Sequence, residues 1–157
     1  MEGWTSTAML EVQKVGTTVR FSAEDEDSII YWKAPSPYLG KKISSYGGML
    51  KFKVLFTLAG RDSEGVVEPD IILSGNNMTV VHYHDKQPSS GETFPMEVPL
   101  LEYHFRHQSS NAQVSKEQFM MILVNLESLL IRASYFSAVG EIRYCSLYVY
   151  IYIVHGQ

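Results

Sequence analysis

From Met49 to Leu58 the chain alternates. Leu50, Phe52, Val54, Phe56 and Leu58 fall on one face, and Lys51, Lys53 and Thr57 on the other, with Leu55 breaking the pattern. A period of two marks a half-buried antiparallel strand, and a strand of that length commits the chain to a sheet. Lys51 and Lys53 then read as a solvated strand face rather than a heparin or phosphate site.

Similar patterns recur. Leu10 to Lys14 and Thr18 to Ser22 read as a hairpin about Gly16. Ser28–Lys33, Asp70–Leu73, Met78–His84 and Val98–Arg106 are further predicted strands, and the last runs from Ile142 to Val154. Polar links rich in Gly, Pro and Ser separate them, at Ala59–Glu68, Asp85–Pro95 and Gln108–Asn111. Strands at this spacing predict a sandwich of two sheets, without setting their order. One helix interrupts them. Ser115 followed by Gln118 is a capping box, and Phe119, Ile122, Leu123 and Leu126 share a helical face. The pattern predicts a helix ending near Glu127, followed by a buried strand at Leu129-Leu130-Ile131.

The length of 157 residues suits one domain, residues 1–157, with room for a core. Ten Tyr, seven Phe and two Trp favour strands. A net charge of −4, without a clustered basic face, argues against nucleic acid. The most apolar tract, Tyr144 to Val154, falls short of the roughly 20 residues a membrane helix needs, so no membrane insertion is expected. No secretory signal is visible at Met1-Glu2-Gly3-Trp4. The one cysteine, Cys145, forbids an internal disulfide and by itself leans cytosolic.

Chemistry-bearing residues are few. His82 and His84 project from one face of a predicted strand, with His104 and His107 on or near another and Asp85 close by. Four imidazoles on adjacent strands can bind zinc, but the spacing is unspecific and a polar strand face is the preferred reading. Glu24-Asp25-Glu26-Asp27 lacks calcium-loop spacing and reads as a solvated acidic turn. Cys145 shares a face with Leu147, Val149, Ile151 and Ile153, so a buried, inert thiol is expected. No nucleophile elbow, P-loop, dinucleotide fingerprint or zinc-protease motif occurs. Asn77-Met78-Thr79 is an N-glycosylation acceptor. Tyr148, Tyr150 and Tyr152 alternate opposite the apolar face of the last strand. They pack under other structure, meet a partner, or stack sugar rings, with packing weighed first.

Two blocks carry a family resemblance. The first is Tyr31-Trp32-Lys33-Ala34-Pro35-Ser36-Pro37-Tyr38-Leu39-Gly40, running on to Ser44-Ser45-Tyr46-Gly47-Gly48. The second is Phe119 to Glu127 leading into Leu129 to Tyr135. Together they resemble the laminin IV type A domain of laminin chains and perlecan, most strongly over residues 29–135. The resemblance implies a jelly-roll-like antiparallel β-sandwich with one short helix. It implies a secreted, glycosylated, non-enzymatic adhesion module of the basement-membrane extracellular matrix, set between laminin EGF-like modules. Its partners would be matrix proteins or cell-surface receptors, with glycans as a further class. No catalytic, metal or cofactor residue carries over. Trp32, Pro35, Leu39, Gly47, Gly48 and Arg132 match as architecture. Beyond Ile142 the chain is more aromatic than the family pattern, and no cysteine-rich half-module follows. A carbohydrate-binding module and an intracellular binding domain remain as other classes.

Overall fold

The computed structural model describes residues 3–7, 13–15, 18–24, 29–59, 67–89, 91–135 and 142–148; side chains at 15, 18–24, 56–59, 142–146 and 148 lie outside that description. Two antiparallel sheets make up the architecture. The first joins β1 (Thr5–Ser6), β4 (Tyr31–Lys33), β10 (Leu126–Arg132), β6 (Ile71–Gly75), β7 (Met78–His82) and β9 (Arg106–His107), in that order. The second joins β2 (Gln13–Val15), β3 (Thr18–Glu24), β11 (Ile142–Tyr148), β5 (Met49–Ala59) and β8 (Phe94–Pro99). The chain passes repeatedly from one sheet to the other, as in a jelly roll.

Alternation builds the core as expected. Leu50, Phe52 and Val54 of β5 are buried, while Lys53 between them is exposed. They join Met96 and Val98 of β8 and Leu147 of β11 in one cluster with Trp32, Ile71, Leu73, Val80, Leu129 and Ile131 of the facing sheet. That shared cluster makes the two sheets a sandwich. On the outer face Lys51 pairs with Glu97, its cross-strand partner, at 3.6 Å.

The helix α1 (Lys116–Val124) closes one end of the sandwich with Phe119, Ile122 and Leu123 buried. Its capping box forms as predicted. The Ser115 hydroxyl accepts from Gln118 N at 3.1 Å, and Gln118 Oε1 accepts from Ser115 N at 3.0 Å. The helix stops earlier than predicted, because Asn125 leaves helical geometry at φ −142. Leu126 then exchanges backbone hydrogen bonds with Gly40, 2.8 and 2.9 Å long, and starts a strand.

The predicted strand Val98–Arg106 is also corrected. Its strand lies earlier, at Phe94–Pro99, followed by a 3-10 turn at Glu102–His104 and the short β9. Pro95 and Pro99 are tolerated because β8 is an edge strand. The hairpin about Gly16 is represented by paired Val15 and Thr18. Residues 10–12, 16, 17, 28 and 149–154 of the predicted strands and their hairpin lie outside the described residues.

The two sequence blocks lock together. Ala34 N donates to Leu129 O at 3.0 Å, Gly40 N to Leu126 O at 2.8 Å, and Lys42 N to Leu123 O at 2.7 Å. Trp32 is fully buried, in register with Ile131. The turn-rich first block therefore lies along the second as part of the scaffold.

Candidate functional site

The predicted histidines separate. His82 ends β7, and its ring lies 5.8 Å from His84 and 6.5 Å from His104. These three, with Tyr83, Asp85, Glu97, Pro99 and Tyr103, line a cleft of about 300 Å³. His107 leaves the group. It sits on β9, and its Nε2 is 3.0 Å from Gln118 Oε1, where it braces the helix cap. Among the described residues no three His, Cys, Asp or Glu side chains have metal-holding geometry.

His82 Nδ1 is 2.8 Å from the His104 carbonyl oxygen. A carbonyl only accepts, so Nδ1 carries the hydrogen and the neutral ring leaves Nε2 as an acceptor. Nε2 is buried and has no hydrogen-bond partner among the described residues. Burial holds the His82 pKa below the ordinary histidine value, against the opposing pull of the His104 carbonyl.

Behind the cleft is a structural clamp that sequence reading assigned only as architecture. Arg132 is fully buried at the end of β10. Its Nε donates to Ser134 O at 2.8 Å and its Nη1 to Glu68 O at 3.1 Å, and the guanidinium stands 4.6 Å from the Tyr135 ring centroid. Asp70 joins the strand ends. Its Oδ2 accepts from His84 N at 2.9 Å, and its backbone bonds both His82 and Arg132. Burial raises the Asp70 pKa, opposed by the His84 amide and the Arg132 charge. These groups satisfy loop carbonyls and amides and expose no nucleophile. The meeting of Asp70 and Arg132, whose backbones bond at 2.9 Å, was not legible from spacing, since 62 residues separate them.

Asn77 lies at the tip of the β6–β7 hairpin and is exposed. Asn76 and Asn77 have φ of 48 and 61, the two positive values of a type I′ turn. Asn76 Nδ2 is tied to Met121 O at 2.6 Å, so the turn is anchored to the helix.

The strand that carries Tyr148 is central in its sheet, and Tyr148 stands in backbone register with Thr18 and with exposed Lys53. Tyr150, Tyr152 and Asp25–Asp27 lie outside the described residues, as does the Cys145 side chain. The Cys145 backbone pairs with Phe21 and Phe56, and Leu147 on the same strand is fully buried.

The sequence matches the family described as Laminin B (Domain IV) over residues 31–147. This chain belongs to that family. As a laminin domain IV chain, it is 36% identical over 107 residues to laminin subunit alpha-3 of Homo sapiens, covering 68% of this chain and 3% of that protein. It is 30% identical over 113 residues to the basement membrane-specific heparan sulfate proteoglycan core protein of Mus musculus, covering 72% of this chain and 3% of that protein. The laminin IV chain therefore spans only a few per cent of the length of these relatives. Its fold is similar to the L4b domain of human laminin alpha-2, with a TM-score of 0.70 at 23% identity, covering 93% of this chain and 89% of that one.

Proposed function

We propose that the chain is a non-enzymatic structural and adhesion module, residues 1–157, of a secreted laminin-type protein of the basement membrane. It acts as a globular unit between EGF-like modules, and matrix proteins or cell-surface receptors contact the parent chain. The observation that carries this reading is the family match over residues 31–147, joined to a scaffold in which the matching blocks bind each other. The buried polar groups support it, because Arg132 and the Asp70 Oδ2 bind backbone groups of the scaffold.

A domain swap tests the proposal. This chain replaces the laminin IV segment of a laminin alpha chain in animal cells. Secretion and matrix deposition at the level of the unaltered chain are expected. Intracellular retention of a chimera whose isolated domain folds would overturn the module reading.

Asn77 is the glycan attachment site in this reading. The exposed, anchored turn supports it, since an oligosaccharide acceptor must be reachable. Intact mass before and after glycosidase decides the matter, and an unshifted mass from secreted protein rejects it. Tyr148, Tyr150 and Tyr152 are assigned as the face for a protein partner, supported by the register of Tyr148 with exposed Lys53. Tyr150→Ser should then leave the melting temperature nearly unchanged, whereas a large drop marks a packed ring.

A further inference from the structure

We propose that the cleft between the end of β7, the edge strand β8 and the turn at Glu102–His104 binds one neutral sugar ring of a glycan. A pyranose is amphipathic. Its C–H face stacks on aromatic rings, and its rim of hydroxyls needs groups that accept and donate hydrogen bonds. The cleft supplies both kinds of surface. Tyr103 is 71% exposed and Tyr83 49% exposed, and both line it. The Tyr103 ring rests on His104 at 4.8 Å, which holds it in place before any ligand arrives. Tyrosine offers area at low entropic cost and keeps a polar tip in water.

The polar wall is matched to hydroxyl groups. The half-buried rings of His84 and His104 line it and carry ring nitrogens able to accept or donate, above His82, whose one N–H is spent on the His104 carbonyl and whose Nε2 is buried. Asp85 and Glu97 add carboxylate acceptors, although Glu97 also pairs with Lys51. Among the described residues no Lys or Arg lines the cleft, and the nearest cation, Lys51, is paired to Glu97 on its rim, so sulfated and other anionic sugars meet carboxylates first. The volume of about 300 Å³ lies at the small end of ligand pockets and suits a single ring rather than a long chain.

The test titrates the 157-residue chain with N-acetyllactosamine, with an oligomannose glycan and with a heparin hexasaccharide, following the histidine ring resonances by NMR. One of the neutral sugars should shift the His84 and His104 signals at millimolar concentration, and heparin should not. Tyr103→Ala should keep the melting temperature, since its ring is mostly in water, and weaken binding by roughly fivefold or more. Tyr103→Phe should keep binding. Silence of the ring signals with both neutral sugars overturns the proposal. So does a response to heparin alone, unchanged affinity in Tyr103→Ala, or occupation of the cleft by a matrix peptide that the sugars do not displace.

Discussion

A Cβ on Gly75 would stand 2.5 Å from the Asn125 carbonyl oxygen. It would also stand 2.7 Å from that of Ile122. The end of β6 and the end of α1 thus meet backbone to backbone, and only a residue without a side chain fits between them. Gly75→Ala should cost about 2 kcal/mol, as forced overpacking does, and lower the urea midpoint. An unchanged midpoint would mean that the helix end moves aside freely.

Arg132→Met should destabilise the chain by about 3 kcal/mol, because the buried carbonyl of Ser134 and the part-buried one of Glu68 lose charged donors. Arg132→Lys should recover little of that loss, since one ammonium does not reproduce the planar fork. Equilibrium denaturation of the three proteins checks both statements, and a stable Lys variant would sink the second.

Stability should fall in mild acid. The folded state depresses the His82 pKa, so below about pH 6.5 the unfolded chain binds the extra proton and the folded one resists it. The stabilisation is present above that pH and is lost as pH falls towards the depressed folded value. Asp70 has the opposite sign, because its raised pKa favours the folded state as the carboxyl protonates in the more acidic carboxylate range. Melting temperatures from pH 8 to 5 should therefore decline, and His82→Phe should flatten the curve. A decline that persists in His82→Phe assigns the effect to another group.

Folding should need no metal. His107 is committed to Gln118, and the rings of His82, His84 and His104 hold separate positions around the cleft. Melts with and without a chelator should superimpose. A drop beyond about 3 °C, the shift that roughly 1 kcal/mol causes at this size, would show a bound ion.

Local pattern carried much of the architecture. Leu50, Phe52 and Val54 are buried by simple alternation, and Ser115 and Gln118 cap the helix because a capping box is complete within four residues. The misreadings come where distant backbone intervenes. Leu126 has the helical spacing of Ile122 and Leu123, yet Gly40 claims its N–H and carbonyl, 86 residues away in the chain. The strand expected to run through Tyr103 instead turns there, and this leaves the ring in solvent. The cleft was half legible. His82, His84 and His104 attract notice in the sequence, but Glu97 and Tyr103 join them only through the packing of β8 beside the turn. Asn77 was read from its triplet alone, whereas its place on an anchored turn depends on Asn76 reaching Met121.

Position in the chain gives β11 a temporal role. It pairs with β3 on one side and β5 on the other, and β3 and β5 do not pair with each other. A nascent chain that has emerged only as far as Tyr135 holds every strand of the six-stranded sheet but two unjoined halves of its partner. One backbone edge of β5 then waits on the arrival of a segment more than eighty residues later, and premature release or cleavage before Ile142 leaves an open-edged half-sandwich for chaperones to hold.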